Sequence, residues 1–190
     1  MRLCRSYDLA TTDVKEAARA RTLTPVIKYW VCKSAPGFVY EAMECLGGNG
    51  YVEDGVLARL YREAPVNAIW EGSGNVVCLD LLRALMRDGE AAMAVLTHIA
   101  HATAELPGCA DAVAFITKTL AGAGAEAHAR SAVERLALLC AVEALQASAP
   151  EVAAIFARAR LANRFGRSYG AVDLSVEDTS RLLERALPSA

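Results

Sequence analysis

The sequence predicts an all-α protein, and three observations carry that prediction. Apolar residues make up 54% of the 190 residues and recur at helical spacing over long stretches. No stretch of useful length shows the alternation of period two that marks a half-buried strand. Glycine and proline stand mostly at segment ends, where they punctuate helices. The expected architecture is an antiparallel helical bundle over residues 1–88, with residues 89–190 an additional helical tail packed on it through short linkers.

Each element has its own signal. Arg2 to about Arg21 is helical and charged. Thr24-Pro25 reads as an N-cap followed by a proline at the first helical position, which predicts a second helix starting there. "VIKYWVCKSAPGFVYEAMECLGG" keeps helical spacing through Leu46, with a break or kink predicted at Pro36-Gly37 and a stop at Gly47-Gly48. Tyr51 to Ala64 reads as a loop with one short helix from about Leu57 to Glu63, closed by Pro65. Ser73 then caps a helix whose Val76, Val77, Leu79, Leu82, Leu85 and Met86 trace an apolar stripe. Arg83 and Arg87 stand near its end, where the macrodipole favours cations, and Gly89 terminates it. Helical hairpins follow: "EAAMAVLTHIAHATAE", "CADAVAFITKTLAG", a long helix from about Ala125 to Ala147, another after Pro150, and a last one opened by Ser175.

Composition narrows the function classes. A net charge of -2 and a pI near 5.9 give no global attraction to nucleic acid or anionic lipid. The six cysteines are scattered, with no Cys-x-x-Cys pair and no histidine at ligand spacing. That pattern suits reduced, buried thiols in a cytoplasmic protein better than a disulfide framework or a zinc site. No apolar run reaches the roughly 18 residues of a spanning helix, and the amino terminus lacks the apolar core of an export signal. His98, His101 and His128 have no evident catalytic partner and read as surface or satisfied core residues.

Two glycine-rich turns stand out in "GNGYVEDGVLARLYREAPVNAIWEGSGN". The first, with Gly47, Gly48 and Gly50, reads either as a helix C-cap or as a backbone cradle open to an anionic or planar ligand. The second places Glu71 after Trp70 and just before the cap Ser73. Its carboxylate either faces the free amides of the following helix or occupies an apolar cleft, where desolvation would raise its pKa toward values useful for proton abstraction. In the tail, Arg158, Arg160, Arg164 and Arg167 interleave with Phe165 and Tyr169. Such a cluster suits phosphate contacts with DNA, or else a solvated face with salt bridges, since residues 125–190 hold equal numbers of arginines and acids.

The stretch "EAMECLGGNGYVEDGVLARLYREAPVNAIWEGSGNVVCLDLLRAL" resembles the carboxy-terminal α-domain of the acyl-CoA dehydrogenase family. The wording "LYRE-PVN-IWEGSGN-CLD-LR" is most similar to its AidB-like, DNA-alkylation-response branch. The resemblance implies that Glu71 is the base removing the α-proton of an acyl-CoA thioester while a hydride passes to FAD. It places Trp70, Ser73 and Asn75 near the flavin, and Gly47, Gly48 and Gly50 on the turn that touches the adenine and pyrophosphate half of FAD bound mainly to a neighbouring subunit. Glu44 stands where β-oxidation members have glutamine, an unfavourable charge near a pyrophosphate unless it is engaged or turned away. A homo-oligomer is implied, and the branch's association with DNA implies a nucleic-acid contact through the tail. The family's amino-terminal helical and middle β domains have no counterpart in this sequence, so the chain reads as a fragment with a partial FAD site and no activity of its own. The alternative is a non-enzymatic helical module that binds protein or DNA. The enzyme reading expects the Glu71 carboxylate and the glycine bend near residue 48 to border one hollow.

Overall fold

The computed structural model describes residues 1–122, 124–162 and 169–187. Among these there is no strand, and ten α-helices follow in order: α1 (Arg2–Leu9), α2 (Val14–Cys45), α3 (Gly48–Tyr51), α4 (Val56–Glu63), α5 (Gly74–Arg87), α6 (Gly89–Thr103), α7 (Cys109–Ala121), α8 (Ala125–Gln146), α9 (Pro150–Ala157) and α10 (Val176–Ala186). A 3-10 turn, Ala64–Ala68, follows α4, and a π-helical turn, Arg158–Ala162, follows α9. The all-α antiparallel bundle with its helical tail is as the sequence predicts.

The start of the chain departs from expectation. No helix begins at Thr24-Pro25; the chain turns instead at residues 10–13. There the Asp13 carboxylate accepts the amides of Lys15 (2.8 Å) and Glu16 (3.4 Å) and so caps α2. From that cap α2 runs 32 residues straight through Pro25 and Pro36. An interior proline costs about 3 kcal/mol. Against that, α2 sinks Leu23, Val26, Tyr29 and Met43 into the interior, and each large apolar side chain contributes roughly 1.5–3 kcal/mol on burial. Packing therefore outweighs both prolines, and the predicted break at Pro36-Gly37 does not end the helix. Its amino-terminal end is tied to α1 by Arg2, which donates to both oxygens of Glu16 (2.7 and 2.9 Å), while the Ser6 hydroxyl donates to the same carboxylate (2.6 Å).

The core forms around α8, whose Val133, Leu136, Leu139 and Val142 are all buried. Buried residues from Ala18 on α2 to Ala157 on α9 join one cluster, so helices from both halves of the chain share an interior. On α5 the buried stripe is Val77, Cys78 and Leu81, while Val76 and Met86 face solvent. Leu79, Leu82 and Leu85 of the predicted stripe pack against this core, so the stripe holds except at its two ends, Val76 and Met86. Cys78, Cys109 and Cys140 are buried as expected, but Cys4 and Cys45 are exposed, because they lie on outward faces at the ends of α1 and α2. At the carboxy-terminal end the Ser175 hydroxyl caps α10 by accepting the Asp178 amide (3.0 Å). α10 buries no residue and is held to α9 and the π-helical turn through the pairs Arg181–Glu151 and Arg158–Asp178. No helix among the described residues is long and apolar enough to cross a membrane.

Candidate functional site

The second glycine turn is built from a short 3-10 segment that runs into α5. The Val66 carbonyl accepts the amides of Ile69 (2.9 Å) and Trp70 (3.0 Å) and closes the segment. Glu71 follows with φ of 55°, the only non-glycine residue with positive φ among the described residues. A left-handed conformation costs a non-glycine residue roughly 1–2 kcal/mol, so this turn stores strain at one acidic residue. Ser73 occupies the N-cap position of α5, but its hydroxyl accepts no amide, contrary to the expected side-chain cap. What holds the turn is α2. The Lys28 ammonium donates to the carbonyls of Trp70 (2.9 Å) and Gly72 (2.6 Å), on either side of Glu71. Gly74 lies so close to α2 that a Cβ there would come within 2.9 Å of Lys33 Cε.

Glu71 is exposed, and no hydrogen bond or ion pair engages its carboxylate among the described residues. It borders a hollow of about 480 Å³ together with Tyr7, Arg21, Lys28, Asp80, Arg83 and Arg87. Neither reading of Glu71 holds as drawn: its carboxylate accepts no amide of α5 among the described residues, and the hollow it borders is not purely apolar. Trp70 is 58% exposed and does not line the hollow, whose wall mixes Pro25, Val77 and Ala84 with the four cations. The α5 contribution comes from positions 77, 80, 83, 84 and 87, which share one helical face. Arg83 pairs with Asp80 (2.6 Å), and Arg21 and Arg87 stand 3.6 and 3.7 Å from Asp88, so the four cations of the wall exceed the acids around them by about one charge, a small positive balance that suits a phosphate-bearing ligand. Asn75, like Ser73, is exposed on the first turn of α5.

The first glycine turn lies elsewhere. Gly50 is buried against the α2 backbone, where a Cβ would fall 2.3 Å from the Met43 carbonyl oxygen, so this glycine serves packing. A Cβ on Gly47 or Gly48 would meet nothing within 4 Å, and both backbones are open to approach. The neighbouring Glu44 carboxylate pushes the Tyr40 hydroxyl pKa up, which places the acid beside that hydroxyl. Lys28 and Met43 mark where the two turns sit on α2, and fifteen residues of helix separate them by about 22 Å. The expectation that Glu71 and the bend near residue 48 border one hollow is corrected: Gly47, Gly48 and Gly50 do not line the hollow that Glu71 borders. The continuity of α2, unseen in the sequence, is what holds them apart.

In the tail, Arg158 is engaged by Asp178, and Arg160 is exposed. Arg164 and Arg167 lie outside the described residues. His98 Nε2 stands 3.5 Å from a Glu143 carboxylate oxygen, a partner 45 residues away that no local pattern announces. The sequence reading missed Lys28, Arg21, Arg83 and Arg87 as site residues. For the last two a signal existed: Asp80, Arg83 and Arg87 recur at three- and four-residue spacing directly after the Glu71 turn.

Residues 4–86 match the family model described as the acyl-CoA dehydrogenase C-terminal domain. The chain is 58% identical over 84 residues to AidB of Escherichia coli (strain K12), a match that takes in 44% of this chain and 15% of that protein. It is 50% identical over 73 residues to acyl-CoA dehydrogenase family member 11 of Caenorhabditis elegans, over 38% of this chain and 12% of that one. Among solved structures, Caenorhabditis elegans ACDH-11 in complex with C11-CoA superposes with a TM-score of 0.68 over 99% of this chain and 36% of that one, at 24% identity. Bd2924 in its apo form superposes with a TM-score of 0.63 at 32% identity, over 76% of this chain and 28% of that one. The chain thus spans a small part of the length of the relatives it matches.

Proposed function

Residues 4–86 carry the acyl-CoA dehydrogenase C-terminal domain, related in sequence to that of AidB, and from this premise we propose that the Glu71 hollow is the base-bearing side of an acyl-CoA dehydrogenase site. The observation that carries the reading is the unengaged Glu71 carboxylate facing a hollow walled by Arg21, Lys28, Arg83 and Arg87. A coenzyme A thioester brings phosphates for those cations and an acyl α-carbon for that carboxylate. Glu71 takes the α-proton, and the electron pair of that C–H bond becomes the α,β double bond as the β-carbon loses a hydride. FAD, when bound, supplies the hydride acceptor.

The chain's residues fit such a flavin in part. Trp70, Ser73 and Asn75 are exposed around Glu71 and suit its ring system. Gly47 and Gly48 leave their backbone open to the pyrophosphate side. Glu44 opposes a pyrophosphate by charge, an effect moderated by the Tyr40 hydroxyl beside it. Because the two turns sit about 22 Å apart on one helix, a single flavin would take its ring contacts from one copy and its pyrophosphate contacts from a second. The exposed Phe38, Tyr51 and Ile69 support a homo-oligomer that covers them. This reading also sets the protein in the cytoplasm, where unpaired thiols persist.

Titration with octanoyl-CoA, followed by tryptophan fluorescence, tests the proposal. The double variant Arg83→Glu, Arg87→Glu should bind at least about tenfold more weakly, an effect that shrinks with added salt. Glu71→Gln should bind as well as the wild type or better, since it removes one negative charge. A wild-type chain with no affinity, or charge-reversal variants that bind unchanged, would remove the basis for the reading.

A further inference from the structure

A strained residue persists only where its surroundings over-determine it, and at Glu71 the backbone bonds to Val66 and the packing of Gly74 on α2 are joined by the hydrogen bonds of one side chain. Lys28 alone, among the side chains of the described residues, hydrogen-bonds a backbone group of residues 70–74. Its ammonium gathers the carbonyl before Glu71 and the carbonyl after it, at 2.9 and 2.6 Å. Both carbonyls are thereby turned toward α2. The cap that would ordinarily fix the start of α5 makes no side-chain bond, so no other side-chain hydrogen bond sets the angle at which the turn enters the helix. Lys28 is itself anchored on α2 between the buried Val26 and Tyr29, and it lines the same hollow as the Glu71 carboxylate.

From this arrangement we infer that Lys28 is a positioning residue for Glu71: by bridging the Trp70 and Gly72 carbonyls it holds Glu71 at positive φ and keeps the carboxylate at the edge of the hollow. The inference rests on the proposed role of Glu71 for its functional meaning, but not for its geometry. Two ammonium bonds, one on each side of the strained residue, are a more specific arrangement than a lysine that merely packs. A lysine suits the task because its ammonium carries three tetrahedrally arranged donors and so can satisfy two carbonyls at once.

The test uses the isotopically labelled full chain with no ligand. At positive φ the intraresidue distance from the amide proton to Hα is short, so Glu71 should show a strong amide-to-Hα Overhauser effect in the wild type. In Lys28→Met the helical content should be retained while that effect at Glu71 weakens. The Val77 amide, which donates to the Ser73 carbonyl (3.0 Å), should exchange about tenfold faster. Adding Glu71→Gly to Lys28→Met should bring Val77 exchange back to within about twofold of the wild type, because glycine takes positive φ without a clamp. An unchanged Overhauser effect in Lys28→Met would overturn the inference. So would a double variant that exchanges as fast as the single one, since Lys28 would then be a staple unrelated to the strain. The readout needs no acyl-CoA, so a wild-type chain that binds none defeats the proposed function and leaves the clamp standing.

Discussion

Arg19 on α2 and Glu143 on α8, 124 residues apart, form an ion pair buried in the bundle, with 5% and 9% of each residue exposed. Glu143 also faces His98 of α6, so one carboxylate links three helices. The Arg19 Nε has no hydrogen-bond partner among the described residues, so the pair is not fully satisfied. Removing one partner of such a pair leaves a buried charge uncompensated, which costs about 3–5 kcal/mol.

Arg19→Met should therefore lower the stability of the chain by about 3 kcal/mol, measured by urea unfolding. Arg19→Met combined with Glu143→Met should recover most of that loss, since an apolar pair of similar volume leaves no charge behind. A double variant no more stable than Arg19→Met would show that the pair does more than neutralise itself.

Acid should loosen the α1–α2 hairpin. The Arg2 guanidinium hydrogen-bonded to Glu16, assisted by the Ser6 hydroxyl, holds the Glu16 carboxyl down at about 2 against an ordinary value of 4.5. A group whose pKa is depressed in the folded state contributes stability that is full above its unfolded value and is lost as the pH falls through its folded value. The Glu16 contribution is thus intact above pH 4.5 and fades between there and pH 2. Urea unfolding across that window should show a steeper loss for the wild type than for Glu16→Gln. Equal slopes would contradict the assignment.

Gly50→Ala should cost about 1–3 kcal/mol, because the new methyl group falls on the Met43 backbone and something must move. Gly48→Ala, two residues earlier with nothing within 4 Å of the added carbon, should stay within about 0.5 kcal/mol. Thermal unfolding of the pair separates a packing glycine from an open one. Similar losses for both would mean that the turn as a whole, and not its contact with α2, requires glycine.

Much of the fold was legible because it depends on local signals. Ser175 capping α10, Pro150 opening α9 and Gly47 following the end of α2 each act within one helical turn. The misreading at Thr24-Pro25 has the opposite cause. Proline is a local cost, whereas the burial of Leu23 and Val26 that overcomes it depends on helices much later in the chain. The site divides in the same way. Glu71, its flanking glycines and Trp70 could be read as one motif, because they are contiguous. Lys28 lies 43 residues before Glu71 and reaches it only because α2 is continuous, so no spacing rule exposes it. Trp70 beside the acid suggests an apolar cleft as one reading, yet the tryptophan is exposed, and arginines more than two turns along α5 share the wall with Pro25, Val77 and Ala84.

Amide mapping of the full chain during titration with octanoyl-CoA tests most directly whether the Glu71 hollow receives an acyl-CoA. The largest shifts should fall on Glu71 to Asn75 and on Arg83 and Arg87, and should report a single affinity. Shifts confined to Gly47–Gly50 or to the tail beyond Arg158, or none at concentrations well above the millimolar range of nonspecific contact, would contradict it.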